Sequence, residues 1–369
     1  MTPRISVVVM THPDRIENAR RLAESQPECR IAIVTDPVPD GPPGAVRTAQ
    51  RAWEAMPEDS THHVVLQDDV EAVPNLRAHL EQVVASLPEH PICLFTEWAS
   101  KTAQAVRLGL LEGRGLIEIV DHLHTTQGVI LPAATVRAFT DHMRQPGVVT
   151  VDSVADADLL FEFLRDRGDL PYITAPNLVE HIELPSLLGN DLLRGPRHSP
   201  CFDPLPPERK WEVQRPGALT VIPHFSTEGR SYCHFRSGDR WDRRQTVDVL
   251  VDGGVSVPEL AEAYTAEMAK LDGGDEVRAT ASDALVFQLW VTAVASGLVL
   301  RQRHGLGAEA LDRALRDRDA SRAWSTLTRG ALRKTFPPEA GARLGDLLAP
   351  LVERALLGAV PLDVRIDHP

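Results

Sequence analysis

Short apolar runs and helix-like stretches alternate along the first half of the chain. The apolar runs are rich in β-branched residues, which predicts strands buried within a sheet. These strands are predicted at residues 5–10, 30–35, 63–66, 92–95, 116–120, 128–131 and 172–174. Helices are predicted between them, at residues 14–25, 45–56, 74–87, 135–143 and 156–165. This alternation predicts an α/β fold, with a mostly parallel sheet and helices on both of its faces.

The second half of the chain has a different pattern. Prolines interrupt residues 191–240, which predicts a connector that contains one hairpin, formed by residues 219–225 and 231–235. Beyond it, Ser256 and Glu259 have the spacing of a capping box at the start of a helix. Helical spacing predicts helices at residues 257–271, 282–303, 307–332 and 338–358. We therefore predict an α/β domain at 1–190, the connector at 191–240 and a helical domain at 241–369.

Composition narrows the classes of function. A chain of 369 residues with a formal net charge of −13 lacks the basic surface that nucleic-acid binding requires, so we expect no nucleic-acid partner. The most apolar run, residues 284–300, includes Gln288, Thr292 and Ser296, which favours a buried helix over a membrane span. The four cysteines form no CxxC pair and show no spacing typical of zinc ligands. We expect a cytoplasmic protein.

Polar side chains follow the predicted strand at residues 63–66. Gln67, Asp68 and Asp69 come directly after this apolar run, at the end where open α/β sheets bind ligands. Carboxyl oxygens are the ligands that Mg²⁺ and Mn²⁺ prefer. Strand alternation would place Gln67 and Asp69 on one side and direct Asp68 elsewhere. Two explanations stay open: a metal site, or turn residues that end a strand.

Several segments together resemble the GT-A fold of nucleotide-sugar-dependent glycosyltransferases, in particular the lipopolysaccharide type. The resemblance covers residues 1–190, about half of the chain. It is carried by the order and spacing of five segments, at residues 5–15, 31–36, 64–70, 125–132 and 176–182. The third segment, Val-Val-Leu-Gln-Asp-Asp-Val, resembles the strand that ends in the family's DxD-type metal motif.

The resemblance implies roles for particular residues. Asp69 and His181 would hold Mn²⁺ or Mg²⁺ on the donor diphosphate, while Gln67 departs from the family pattern, which has a carboxylate at this position. Gln127 and Gly128 would lie on the acceptor side. The candidates for binding the nucleotide sugar are Thr11, His12, Arg15, Asp36, Arg47, Gln50, Gln67 and Asp68. Without the resemblance, Arg47 would read as part of a solvated helix face.

An acidic stretch opens the predicted helix at residues 156–165. Asp152, Asp156 and Asp158 precede or begin this helix, where aspartate is also common because it caps the helix and complements its dipole. The resemblance places the general base of inverting enzymes near this helix start. Such a base takes the proton from an acceptor hydroxyl. Asp156 is the first candidate and Asp158 the second, and their i, i+2 spacing lets only one of them face a cleft.

The resemblance, together with these residues, implies a glycosyltransferase that moves a sugar from an NDP-sugar, with UDP-sugars favoured, to an acceptor hydroxyl with the help of a metal ion. Inversion is favoured by the resemblance alone. The helical domain would shape the acceptor site or mediate a homodimer. A nucleotidyltransferase is disfavoured because residues 11–15 contain no glycine. A dinucleotide-binding oxidoreductase is disfavoured because no GxGxxG motif follows the first strand. A catalytically inactive binding or scaffold protein stays open, because Gln67 replaces a carboxylate.

Overall fold

The computed structural model describes residues 3–42, 44–122, 124–150, 155–185, 187, 195–238, 240–358 and 364–366. The chain divides into two compact units. The first unit contains Met1–Glu97, Arg114–Leu192 and Arg197–Gln214, and the second contains Trp98–Gly113, Leu193–Pro196 and Arg215–Pro369. These divisions differ from the predicted boundaries at 190 and 240, because part of the Pro-rich connector belongs to each unit.

The first unit is built on a mixed sheet. Its strands are β1 (Ile5–Thr11), β2 (Ala32–Thr35), β3 (His62–Gln67), β4 (Val70–Ala72), β5 (Ile92–Cys93), β6 (Leu116–Glu118), β7 (Gly128–Pro132), β8 (Tyr172–Thr174) and β9 (Val179–His181). Among the described residues, seven of them form one sheet in the order β2-β1-β3-β7-β5-β8-β6. Strands β6 and β7 run opposite to the other five. Strands β4 and β9 form a separate antiparallel pair.

Helices cover both faces of this sheet. The helices up to residue 167 are α1 (Ile16–Ser25), α2 (Val46–Glu54), α3 (Leu76–Ser86), α4 (Lys101–Leu111), α5 (Ala133–Met143) and α6 (Asp156–Arg167), of which α4 belongs to the second unit. Alternation along β3 decides which helix each side chain meets. Val64 and Leu66 join a buried cluster with Leu80 of α3. Val65 lines the opposite face with Trp53 of α2. The predicted α/β fold with a mostly parallel sheet is confirmed.

The second unit combines a small antiparallel sheet with helices. Its strands are β10 (Val221–Phe225), β11 (Ser231–Ser237) and β12 (Arg240–Gln245). Its remaining helices are α7 (Thr246–Asp252), α8 (Val257–Met268), α9 (Gly274–Thr280), α10 (Asp283–Arg303), α11 (Ala308–Leu315), α12 (Arg318–Leu332) and α13 (Pro338–Gly358). The predicted hairpin, the capping box at Ser256 and the helical C-terminal region are confirmed.

Several elements of the second unit differ from the predictions, and three of them show the physical reason. Strand β12 was missed because its sequence, RWDRRQ, has no apolar alternation. The single helix predicted at 307–332 is two helices, since the carboxylate of Asp317 accepts the N–H groups of Asp319 and Ala320 and begins a new one. Helix α4 was missed because it is buried on almost every side, Arg107 included, and therefore shows no amphipathic period.

Helix α10 forms the core of the second unit, and its polar residues are bonded inside it. Thr292 Oγ1 donates to Ser231 Oγ at 2.7 Å, and Ser231 Oγ donates to Thr246 Oγ1 at 2.7 Å. Gln104 Nε2 of α4 donates to Ser296 Oγ at 3.0 Å. Among the described helices, α10 is long and apolar enough to cross a membrane, yet 72% of its most apolar 18-residue stretch is buried inside the protein. This extent of burial is what a core helix shows, and the expected absence of a membrane span stays a prediction.

Thr292→Val is expected to lower the free energy of unfolding by about 1–3 kcal/mol, because it leaves buried Ser231 Oγ without its donor while the volume hardly changes. Chemical denaturation of the whole chain measures this difference.

Thr265→Val is the matched control. The hydroxyl of Thr265 donates to the carbonyl four residues before it, at 2.8 Å, and Thr265 lies on the exposed face of α8. Its replacement is expected to change stability by less than about 0.5 kcal/mol. Equal losses in the two variants would show that the buried hydroxyl chain contributes nothing of its own.

Candidate functional site

The carboxyl end of β3 is where the predicted site residues come together. Strand β3 ends at Gln67, and Asp68 and Asp69 form the turn into β4. Because β4 pairs with β9 in a register that sets Val70 opposite His181, the imidazole is brought next to Asp69. His181 Nε2 lies 3.4 Å from Asp69 Oδ2. The two predicted metal ligands, 112 residues apart in the sequence, are therefore neighbours in space.

Two guanidinium groups share this position. Arg15 Nη1 lies 3.5 Å from Asp68 Oδ1 and 3.9 Å from Asp69 Oδ2. Arg197 Nη2 lies 2.7 Å from His181 Nε2. Since Asp68 and Asp69 lie in a turn, strand alternation does not separate them, and both carboxylates reach the same arginine.

His181 is buried between opposing influences. Burial alone lowers the pKa of this imidazole, but the carboxylates of Asp69 and Glu183 outweigh it and raise that pKa, with Arg197 acting against them. A hydrogen bond from Arg197 needs the lone pair of Nε2, so the neutral ring carries its proton on Nδ1. This tautomer is assigned from the hydrogen-bond network, in which Nδ1 lies 3.4 Å from Glu183 Oε1.

Asp68 joins the end of β3 to the loop after β1. Its Oδ2 accepts a hydrogen bond from Thr11 Oγ1 and lies 3.3 Å from the backbone N–H of His12. Burial raises the pKa of the Asp68 carboxyl, while the hydrogen bond from Thr11 acts in the other direction. His12 in turn caps the short 3-10 turn at Pro13–Arg15 by accepting the N–H of Asp14. Asp68 therefore positions the loop that the resemblance assigns to the nucleotide.

Asp156 lies at the start of α6 and reaches the same end of β3. Thr126 Oγ1 donates to Asp156 Oδ2 at 2.8 Å, and Gln67 Nε2 lies 3.5 Å from the same oxygen. Burial is the main cause that raises the pKa of the Asp156 carboxyl, and the charge of Asp69 adds a smaller increase. Asp158 is exposed. Of the two predicted bases, only Asp156 joins the cluster, and Asp152 lies outside the described residues.

An apolar cleft adjoins Asp156. Thr126 and Asp156 supply its polar wall, and the rest of the lining is apolar, with Val46, Ala49, Trp53, Val65, Phe139, Met143, Leu159 and Leu160. A carboxyl group at the edge of such a lining is poorly hydrated, which agrees with its raised pKa.

Asp36 and Arg47, both predicted to contact the nucleotide, bond to each other. Arg47 Nε and Nη2 donate to the two carboxyl oxygens of Asp36 at 2.7 Å each. Arg47 also donates to the carbonyls of Val38 and Pro42, which fixes the Pro/Gly loop after β2. Burial by itself would raise the pKa of Asp36, but the hydrogen bonds from Arg47 and from Val38 N–H lower it below its ordinary value. The half-buried Gln50 lies one turn further along α2.

Of the two predicted acceptor-side residues, Gly128 begins strand β7 and Gln127 lies directly before it. Gly128 is buried in β7, where an added Cβ would come within 3.2 Å of Leu66 and of Leu94. Gln127 is buried, and its backbone carbonyl accepts the N–H of Gln67 at 3.0 Å. Its side-chain Oε1 accepts no hydrogen bond from the part of the chain that the structure describes. Both residues therefore contact β3. The apolar cleft beside Asp156 is lined by the neighbouring Thr126.

Sequence reasoning missed Thr126 and Arg197. Thr126 stood within the segment that carries the family resemblance, directly before β7, so its position was available. Arg197 follows Pro196 in a stretch without periodicity, and no local signal connects it to His181. Only the fold of residues 195–199 past β9 brings this guanidinium to the imidazole, with Glu180 accepting the N–H and hydroxyl of Ser199 at 2.8 Å each.

The side chains expected to bind a divalent cation do not fit one in this arrangement. Within the described parts of the chain, no group of three or more His, Cys, Asp or Glu side chains could hold a metal ion. Asp69 Oδ1 is buried, has no hydrogen-bond partner among the described residues and could serve as one ligand. However, Nε2 of His181 is taken by Arg197, Gln67 is directed to Asp156, and Arg15 lies 3.9 Å from Asp69 and would repel a cation.

The pair formed by Asp36 and Arg47 makes stability depend on pH. Asp36→Asn is expected to lower the free energy of unfolding at pH 7 by about 1–3 kcal/mol, because Arg47 loses two charge-assisted hydrogen bonds. The folded-state pKa of Asp36 is below its unfolded value. The stability it contributes is therefore complete above about pH 4 and is lost as the pH falls through the folded-state pKa. Denaturation of wild type and Asp36→Asn at pH values from about 2.5 to about 7 measures this stability difference. The range includes the unfolded-state pKa of roughly 3.9.

Asp59→Asn is the control for that measurement. Asp59 pairs with Arg4 at 3.5 Å, but its side chain is 78% exposed, so this ion pair is expected to contribute less than about 0.5 kcal/mol. A stability difference for Asp36→Asn that stays constant down to pH 2.5, about 1.4 units below the ordinary aspartate pKa, would contradict the assignment.

Comparison with known protein families gives no match for this sequence, and no curated protein is significantly similar to it.

Proposed function

We propose that this chain is a glycosyltransferase that moves a sugar from an NDP-sugar, with UDP-sugars favoured, to an acceptor hydroxyl with inversion at the anomeric carbon. The observation that carries the proposal is the position of Asp156. Its carboxyl lies at the carboxyl end of β3, beside an apolar cleft, and its pKa is raised by burial. The resemblance to the GT-A fold assigns the general base to this helix start.

The fold supports the proposal through what it places at one edge of the sheet. Strands β1, β2 and β3 are parallel and adjacent, so the loops after them meet at their carboxyl ends. Asp36 N–H donates to the carbonyl of Thr11 at 2.9 Å, which joins the first two of these loops. Open α/β sheets bind nucleotides at this edge. Thr11, His12, Arg15, Asp36, Arg47 and Gln50 would form the nucleotide side of the pocket.

In this mechanism Asp156 accepts the proton of the acceptor hydroxyl as the oxygen attacks the anomeric carbon. A new carbon–oxygen bond forms, the bond to the donor phosphate breaks on the opposite face, and the nucleoside diphosphate leaves with the bonding electrons. A carboxylate with a raised pKa is a stronger base than an ordinary aspartate. Thr126 and Gln67 would hold its Oδ2, which leaves the other carboxyl oxygen to meet the acceptor.

Asp156→Asn is expected to reduce release of nucleoside diphosphate from the donor by about 10²- to 10⁴-fold, while donor binding persists, because the amide keeps the shape but cannot take a proton. Binding is measured first, as the rise in melting temperature with UDP-, GDP-, TDP- and CDP-sugars, since a ligand stabilises the folded state. Release is then followed with the donor that binds. The acceptor in this assay is either water or a mixture of hydroxyl compounds.

Asp158→Asn is the control, because Asp158 lies two residues along the same helix and is exposed. It is expected to keep both binding and turnover. If no sugar nucleotide raises the melting temperature of the wild-type protein, the glycosyltransferase proposal fails and a binding or scaffold protein becomes the better hypothesis. If donors bind but Asp156→Asn turns over normally, the proposed base is wrong. A role of the second unit in acceptor binding or in a homodimer stays a prediction.

A further inference from the structure

The half-buried guanidinium of Arg197 has no anionic partner among the described residues, none of whose carboxylates lies within 4.0 Å of it. Within this part of the chain its contact is the imidazole Nε2 of His181, at 2.7 Å. Its backbone N–H, in contrast, is bonded to Glu183 Oε1 at 2.6 Å, which fixes the chain at this point. A fixed guanidinium with free N–H groups is a binding element for phosphate, since its planar fork matches two phosphate oxygens.

Two of the neighbouring carboxylates, Asp68 and Glu180, are already bonded, so they do not compete for Arg197. Asp68 is held by Thr11, His12 and Arg15. Glu180 accepts from Ser199 and from the backbone N–H of His181. Arg15 stands beside Asp68 and Asp69, and the side chains of all three are less than 15% exposed. Its charge offsets the repulsion that these carboxylates would exert on a bound phosphate.

The same contacts work against a divalent cation. In a neutral ring, Nε2 of His181 gives its lone pair to Arg197; in a protonated ring, that nitrogen carries a proton. Either way it has no electron pair for a metal. A cation at Asp69 would also lie beside the Arg15 guanidinium, 3.9 Å from the carboxylate. The guanidinium groups of Arg15 and Arg197 thus place positive charge next to the position that a metal would take.

We propose that Arg197 takes the place of a divalent cation in this site and binds the diphosphate of the sugar-nucleotide donor directly. The identity of that donor rests on the proposed function. That the site binds a diphosphate without a metal does not rest on the proposed function, and it is tested separately.

The test is calorimetric titration of the full chain with inorganic pyrophosphate in the presence of EDTA, and again with Mn²⁺. Wild type is expected to bind in EDTA. Arg197→Gln is expected to bind at least about tenfold more weakly, a loss of about 1.4 kcal/mol. Arg197→Lys is expected to fall between them, because lysine keeps the charge and loses the planar fork.

Arg20→Gln is the control variant. Arg20 is in the same unit, but it is 55% exposed and already paired with Glu17, so its loss is expected to leave pyrophosphate affinity unchanged. Melting temperatures without ligand show whether each variant is folded. Pyrophosphate binding that requires Mn²⁺, binding in EDTA that Arg197→Gln does not weaken, or no binding under either condition would each overturn the proposal.

The outcomes separate this proposal from the proposed function. If a sugar nucleotide binds and turns over only with Mn²⁺, the glycosyltransferase stands and the arginine site is wrong. If pyrophosphate binds through Arg197 without metal while no sugar nucleotide binds, the diphosphate site stands and the glycosyltransferase is wrong.

Discussion

The burial of Asp68 is the constraint that organises the first unit around its site. A carboxylate at the end of a central strand must be compensated where water cannot reach it, because an unpaired buried charge costs several kcal/mol. Thr11, the backbone of His12 and Arg15 provide that compensation. Thr11 ends β1, and His12 and Arg15 lie in the loop that follows it, so satisfying one side chain fixes this loop against β3. Arg15 then donates to the carbonyl of Pro185 and extends the connection to the segment after β9.

The charges near this end of β3 form two groups with different consequences. Around Asp69 and His181, two guanidinium groups lie among several carboxylates, and the proposed ligand of Arg197 is an anion. Around Asp156, a hydroxyl, an amide and apolar side chains leave the carboxylate poorly solvated. Gln67 separates the two groups. A carboxylate at this position would lie beside Asp156 and repel it, whereas the amide donates to it. Under the proposed function, the glutamine at residue 67 suits Asp156 as a base and removes one ligand that a metal would need.

In the second unit, buried polar groups are compensated mainly by hydrogen bonds between neutral side chains. Its central helix, α10, is mostly apolar, and the hydroxyl groups of Thr292 and Ser296 bond to Ser231 of β11 and Gln104 of α4, while Ser231 in turn donates to Thr246 of α7. Because a buried hydroxyl without a partner costs about 1–3 kcal/mol, each of these bonds restricts how the helix can be placed. Arg107 of α4 follows the same rule with a charge, since it is 1% exposed and donates to the carbonyls of Trp98 and Ala323.

The sequence by itself determined the elements whose side chains follow a period. The β-branched run of β3 required a buried strand, the capping box at Ser256 required a helix start, and the polar cluster after β3 marked the edge of the sheet where the candidate site residues lie. Helix α4, strand β12 and the break at Asp317 were not predictable in this way, because their burial or their caps depend on neighbours distant in the chain. The same holds within the site. That Asp69 meets His181 follows from the pairing of β4 with β9, and that Arg197 meets the imidazole follows from the course of the chain past β9. The sequence does not say whether Asp36 and Arg47 contact a ligand or each other, because that depends on the distance between their side chains. Only the tertiary structure sets the distance between residues that are far apart in the sequence.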